Sequence, residues 1–186
     1  MRIISGKFRG KKLIQPIDKS TRPLKDMVKE SIFNLLAHGK NLKVNMEETC
    51  VLDLFSGSGS FGLECISRGA KKVVFCENHI PAINILKKNV KSLKEENKIE
   101  INTDDIFYKL KKENFKILFN LIFLDPPFQE NKINELLFLI NKSNILEKDG
   151  IIILHRNKKD KDAINVKCNI LLEKTYGLSK IFFIKL

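Results

Sequence analysis

Two stretches of the chain carry residue types suited to chemistry. The first, LDLFSGSGSFG at 52–62, places Gly57, Gly59 and Gly62 in a G-x-G-x-x-G spacing directly after an apolar run, with Asp53 four positions before the first glycine. The second, LIFLDPPFQ at 121–129, ends an apolar run in Asp125, Pro126, Pro127 and Phe128. Glycines let the chain turn sharply and let a ligand approach the backbone. An acid at the tip of the next strand, here Glu77 in KVVFCE fifteen positions after Gly62, accepts hydrogen bonds from ribose hydroxyls.

The glycine spacing alone serves two kinds of cofactor, nicotinamide dinucleotides and S-adenosylmethionine. Asp53 separates them. A pyrophosphate is an anion seated at a helix N-terminus, where this carboxylate repels it, whereas the methionyl end of S-adenosylmethionine carries an ammonium beside a sulfonium. The spacing therefore predicts S-adenosylmethionine held by Asp53, Gly57, Gly59 and Glu77, with Phe55 and Asn78 at the same two strand ends. Asp105, in NTDDIFYKL, can accept the adenine amino group at the rim of that crevice, with Asp104 as its rival; either can instead cap the helix that follows.

Prolines after a strand also serve as plain turn punctuation. Context decides for LDPPF, because ligands of an open α/β sheet gather outside the carboxyl ends of the strands, and Asp125 ends one of them. An exocyclic amine on a nucleobase is a poor nucleophile, its lone pair being delocalised into the ring. The Asp125 carboxylate and the Pro126 carbonyl, held still by the two prolines, can accept its two N–H groups and aim the lone pair at a sulfonium methyl. Phe128 offers a face on which the base stacks.

The elements that must position these groups alternate strictly. Strands read at 50–55, 72–77, 98–103, 120–125 and 150–156, and helices at 60–69, 80–94, 106–112 and 131–143. Strands written almost wholly in Val, Ile, Leu and Phe are buried on both faces, as in a parallel sheet covered by helices. The end of the chain holds two more apolar runs joined around Tyr176 to Ser179, a connection short enough only for antiparallel strands. Ahead of the alternation, a helical stripe of Val28, Ile32, Leu35 and Leu36 starts near Pro23 and stops at Gly39. Residues 1–22 are basic and glycine-punctuated, and Ile3, Ile4, Phe8 and Leu13 interleave with the charges as in a short two-stranded ribbon. The chain divides accordingly into a basic ribbon extension at 1–22 and one catalytic domain at 23–186.

With 34 Lys and Arg against 22 Asp and Glu, the net charge of +12 favours a polyanionic partner, and nucleic acid comes first. Residues 1–30 hold nine cations against three acids, which is half of that excess in a sixth of the chain. Arg2, Lys7, Arg9, Lys11, Lys12 and Arg22 are the expected RNA contacts. Cys50, Cys65, Cys76 and Cys168 form no C-x-x-C pair and three fall in apolar segments, so they read as reduced core thiols. Three scattered histidines give no metal-ligand spacing. No apolar run nears the ~20 residues of a membrane span. The reading is a cytoplasmic, metal-free monomer.

The sequence resembles the RsmD family of bacterial 16S rRNA guanine-N2 methyltransferases along nearly its whole length. The resemblance is carried by RIISGKFRGKKL (2–13), TRPLKDMVKESIFN (21–34), LDLFSGSGSFGLECISRGA (52–70), VVFCEN (73–78), LDPPF (124–128) and YGLSKIFFIKL (176–186). It implies a class I methyltransferase fold, a mostly parallel seven-stranded sheet flanked by helices with the last strand inserted antiparallel, preceded by the small basic β-ribbon. It also implies methyl transfer from S-adenosylmethionine to N2 of one guanine, guanine-966 by the family pattern, of 16S rRNA in the small ribosomal subunit or its assembly intermediate. By the same resemblance Asp125, Pro126, Pro127 and Phe128 form the catalytic motif, and Arg22 reaches a phosphate or the active-site mouth, or lies on the surface. Family members commonly carry Trp or Tyr where Phe8 stands, and Thr where Leu24 and Lys25 stand. No cysteine is placed to attack a pyrimidine ring, which disfavours carbon methylation. Outside this reading stand a nicotinamide-dependent oxidoreductase and a non-catalytic RNA-binding assembly factor on the same fold.

Overall fold

In the computed structural model, residues 1–15, 24–111, 115–127, 132–160 and 164–186 are described. Seven strands, β1 (Cys50–Leu54), β2 (Lys72–Cys76), β3 (Ile99–Asn102), β4 (Phe119–Leu124), β5 (Leu146–Asn157), β6 (Asn169–Tyr176) and β7 (Ser179–Lys185), form one sheet in the order β3-β2-β1-β4-β5-β7-β6. Strands β1 to β5 pair parallel, and β7 runs antiparallel to both its neighbours, β5 and β6. The chain builds outward from β1 to β3, then crosses back to β4. The order reverses between β1 and β4, and the carboxyl ends of those two strands flank the switch point.

The two-residue period of a strand sorts the side chains. Val51, Leu121, Phe123, Ile151 and Ile153 face one core, shared with helices α1 (Asp26–His38), α2 (Ser60–Ser67) and α3 (Ile80–Leu93). Leu52, Leu54, Ile122, Leu124, Ile152 and Leu154 face the other, covered by α4 (Ile106–Lys111) and α5 (Ile133–Lys142). In the first core Phe61, from the opening turn of α2, stacks on Phe123 of β4 with ring centroids 3.9 Å apart and on Phe33 of α1 at 5.1 Å. That stack fixes the start of α2, and so the glycine loop before it, against the strand that ends in Asp125.

Several boundaries differ from the sequence reading. Strand β1 stops at Leu54 because Phe55 turns to a left-handed φ of 58°. Strand β5 begins at Leu146, four residues earlier than expected, because a register shift between Phe119 and Leu121 lets the chain pair before the apolar run starts. Helix α1 begins at Asp26, and Pro23 lies outside the described residues. Only Cys65 and Cys76 are buried; Cys50 and Cys168 sit near strand ends and are partly exposed.

The N-terminal segment folds back antiparallel, with Arg2 bridged to Lys12. The Ile3, Gly10 and Leu13 amides donate across the segment to the Lys11, Ile3 and Met1 carbonyls, and others go to side chains of α2. Ile4 and Ser5 donate to the two Glu64 carboxylate oxygens at 2.7 and 2.9 Å, and Phe8 donates to Ser67 Oγ at 2.9 Å. Gly6 passes so close to α2 that a Cβ there would lie 1.9 Å from the Ser67 carbonyl oxygen. Glu64 and Lys29 are both fully buried and 3.4 Å apart, and Lys29 Nζ also donates to the Arg2 carbonyl at 2.9 Å and to Ser60 Oγ at 3.1 Å. Burial pulls the Lys29 ammonium below its ordinary range, while Glu64 and Asp26 oppose that shift. Lys29 therefore belongs to the inner clamp and is withdrawn from any surface that could meet a polyanion. The rest of the expected ribbon, 16–22 with Arg22, lies outside the described residues.

Candidate active site

Each strand end near the switch point contributes a polar group, and backbone bonds chain them together. The Ser56 amide donates to the Cys76 carbonyl at 3.1 Å, the Glu77 amide to Asn102 at 3.1 Å, and the Asp125 amide to Leu54 at 3.4 Å. Between β1 and α2 the loop turns through left-handed Gly57 and Gly59, at φ 54° and 81°. Gly62 serves close packing: a Cβ there would approach Phe75 Cε1 of β2 to 2.4 Å. All three glycines of the motif thus have a physical reason to be glycine.

Asp53 points into the first core and is 1 % exposed, with Oδ2 accepting the Gly62 amide at 2.9 Å. Burial pushes its carboxyl up to about 8; the Gly62 hydrogen bond works against that, and the neighbouring Asp125 and Glu77 carboxylates add to it. Glu77 stands at the mouth of the loop, accepting the Gly57 amide at 2.7 Å and the His79 amide at 2.8 Å. These bonds fix its orientation and tie the glycine loop to the end of β2. Asn78 beside it is exposed, and Phe55 is half-buried at the turn. Asp105 accepts the Tyr108 amide at 3.0 Å and caps α4, while Asp104 accepts from Asn102 Nδ2 at 3.3 Å.

Asp125 follows β4 with its side chain 23 % exposed, Pro126 is buried, and Pro127 is exposed. Phe128 lies outside the described residues. Two side chains from β5 meet this motif. His155, 4 % exposed, places Nδ1 2.8 Å from Asp125 Oδ1, and Arg156, equally buried, donates from Nη1 to the Pro127 carbonyl at 3.3 Å. Neither was singled out in the sequence. The usable signal was an apolar strand, IIIL at 151–154, ending in His-Arg beside another ending in Asp-Pro-Pro. Reading it required knowing that β4 and β5 are neighbours.

Of the expected RNA contacts, Arg22 lies outside the described residues and the others sit on the N-terminal segment. Lys7 is tied to Glu95 at 2.5 Å and lowers its carboxyl, chiefly through that hydrogen bond; Lys11 donates to the Ser92 carbonyl, and Arg2 lies 3.7 Å from Asp26. Arg9 and Lys12 are exposed. Residues 5–8 rest on Ser67 at the far end of α2, whereas the Ile14 amide and carbonyl bind Asn89, which in turn binds the Ser58 carbonyl of the glycine loop. A cavity of about 310 Å³ lined by Ser5, Phe33, Met46 and Arg68 also sits at that far end and shares no residue with the crevice. Among the described residues no group of three or more His, Cys, Asp or Glu could hold a metal, and no helix is long and apolar enough to cross a membrane.

A seven-stranded sheet of this order, with an antiparallel β7 between β5 and β6 and a glycine loop after β1, defines a class I methyltransferase fold. Solved structures agree. That of yhhF from Escherichia coli matches with a TM-score of 0.81 at 26 % identity over 99 % of this chain and 96 % of that one. HI0767 from Haemophilus influenzae matches at 0.78 and 33 % over 98 % and 96 %. The family model described as Conserved hypothetical protein 95 matches residues 1–185, and the chain belongs to that family, the RsmD family of the sequence resemblance. Among its relatives are the ribosomal RNA small subunit methyltransferases D of H. influenzae, 38 % identical over 96 % of this chain and 90 % of the relative, and of E. coli K12, 34 % over 82 % and 72 %.

Proposed function

We propose that the protein methylates the exocyclic N2 of a guanine of 16S rRNA, guanine-966 by family pattern, in the small subunit or its assembly intermediate, using S-adenosylmethionine. The observation that carries this reading is the convergence of Asp53, Glu77 and Asp125 at three neighbouring strand ends, with the buried Asp53 carboxyl raised to about 8. Such a cluster calls for a cationic or hydrogen-bond-donating ligand. S-adenosylmethionine fits that donor set, and when bound it would supply an electrophilic methyl group on a sulfonium. Asp53, through Oδ1, is the acceptor for the ammonium, Glu77 for the ribose hydroxyls, and the glycine loop lets the ligand lie against the backbone.

Asp125 and the Pro126 carbonyl accept the two N–H groups of the base, which draws the nitrogen lone pair out of conjugation and points it toward the glycine loop. With the cofactor bound, the C–N bond would form as the S–CH₃ bond breaks, its electron pair going to sulfur. The nitrogen then sheds one proton, for which Asp125 is the nearest base. Phe128 is the proposed stacking face. Arg9 and Lys12, exposed on the N-terminal segment, supply phosphate contacts, and Lys7, Lys11, Arg2 and Arg22 complete the proposed RNA surface. The names of the H. influenzae and E. coli relatives support the rRNA substrate.

The test is incubation of the protein and S-adenosylmethionine with undermodified small subunits, followed by mass spectrometry of the rRNA. Methyl at guanine N2 is the expected result. Unmodified rRNA with intact binding would favour an assembly factor, and binding of NADH in place of S-adenosylmethionine would favour an oxidoreductase.

A further inference from the structure

We propose that His155 and Arg156, the last buried residues of β5, are positioning residues that hold the two ends of the Asp125-Pro126-Pro127 motif in working geometry. The inference rests on the methyl-transfer reading above and adds to it the means by which the acceptor groups are aimed. Leu121 pairs with Ile151, Phe123 with Ile153 and Leu124 with Leu154 in parallel register. Continuing that register by one residue sets His155 level with Asp125, and the two-residue period turns both to the α2 side of the sheet, with Phe123 and Ile153 beneath them. The 2.8 Å contact is therefore written into the sheet, and His155 has little freedom to leave it.

In the proposed pairing the imidazole presents Nδ1–H and Asp125 Oδ1 accepts it. That bond fixes the carboxylate plane and leaves Oδ2 as the acceptor for the base amine, in the way that a partner fixes the tautomer and orientation of a catalytic group elsewhere. Arg156 is a neighbour in sequence and so turns to the opposite side. Its guanidinium is itself steadied by Asp160, with Nε 3.2 Å from Oδ2, in the turn after β5. From there it engages the Pro127 carbonyl, which holds the peptide next after the Pro126 carbonyl, the group that serves the amine. One strand end thus grips the motif at the Asp125 carboxylate and at the Pro127 carbonyl.

Methyl transfer to small subunits is measured for His155→Leu and for His155→Asn, whose amide places a donor near the position of Nδ1. For His155→Leu the expected loss in kcat is about 10²-fold, the scale of a misaimed reacting group. Affinity for S-adenosylhomocysteine and KM for the subunit should stay within about twofold, as befits a contribution made in the transition state. His155→Asn should recover to within about fivefold of the parent on the same reasoning. An unchanged kcat in His155→Leu, or equal losses in the two variants, overturns the proposal. A second measurement needs no substrate and no β5 variant: nitrogen NMR of histidine-labelled protein should show His155 protonated on Nδ1, with that signal lost in Asp125→Ala. An Nδ1 without a proton, or one indifferent to Asp125, overturns the pairing whether or not rRNA is the substrate. Absence of methyl transfer by the parent protein would instead count against the proposed function.

Discussion

Among the described residues, carboxylates are drawn inward in two places, near opposite ends of α2, and are treated in opposite ways. Near the far end, Glu64 accepts two backbone amides and Arg68 Nε at 2.8 Å and sits 3.4 Å from Lys29 Nζ, so its charge is matched on every side. At the glycine loop, Asp53, Glu77 and Asp125 are met by amides and a histidine, and Asp53 is left with a carboxyl raised to about 8. A closed set of charges clamps the N-terminal segment to the domain. An open set offers acceptors to a cation or a donor, which is the physical mark of a candidate site.

The contrast can be broken at either end. The largest expected effect is on turnover: Asp125→Ala should lower kcat by about 10²- to 10³-fold, as for removal of one preorganised transition-state interaction, with subunit binding retained in a filter assay. Next comes Lys29→Met, which leaves Glu64 short of a cation and should lower unfolding stability by about 3 kcal/mol in urea titrations. A change within about 0.5 kcal/mol, the range of ordinary surface substitutions, would mean that the clamp is no clamp.

Asp53 sharpens the comparison through pH. Its folded-state value of about 8 lies above the ordinary 3.8, so between about pH 4 and pH 8 the folded protein holds a proton that the unfolded chain has released. The stability this group contributes is present in full below about pH 4 and is lost as pH rises through 8. Asp53→Asn should flatten that slope in thermal melts run across the window, and should weaken S-adenosylhomocysteine binding by about tenfold, the worth of a hydrogen bond to a charged group. In the parent, binding of that ammonium-bearing ligand near pH 7 should expel protons, read by calorimetry in buffers of different ionisation heat. Uptake of protons would exclude Asp53 as the ammonium partner.

The smallest effects belong to the exposed cations. Arg9→Gln and Lys12→Gln should each reduce the salt dependence of RNA binding, by about 0.7 to 0.9 in the slope of log K against log salt for each phosphate left unneutralised. Lys7→Gln should do less, because Glu95 already holds that ammonium. Equal effects at all three positions would mean that the Lys7 pair opens on RNA.

Local chemistry made much of this legible from residues alone. Turn glycines, strand-ending acids and continuous apolar runs act through neighbours in the chain, so the order of elements, the glycine loop and the tip of β4 at Asp125 could be read directly. Asp105 was legible only as a choice, and its bond to the Tyr108 amide shows it capping α4. The clamp was not legible, because Lys29 in an amphipathic helix looks like a solvated charge until Glu64, 35 residues later, is folded against it. Nor was it legible that the N-terminal segment, besides pairing across itself, would lend the amides of Ile4 and Ser5 to Glu64 of α2.

The sequence by itself determined which groups could accept an amine and which loop could cradle a ligand, since those are properties of residue type and spacing. Only the tertiary structure decided that β5 lies beside β4 in a register that sets His155 against Asp125, and that Arg156 reaches the Pro127 carbonyl. Strand neighbours and register are settled by burial and pairing over the whole sheet, and no local pattern in either strand contains them.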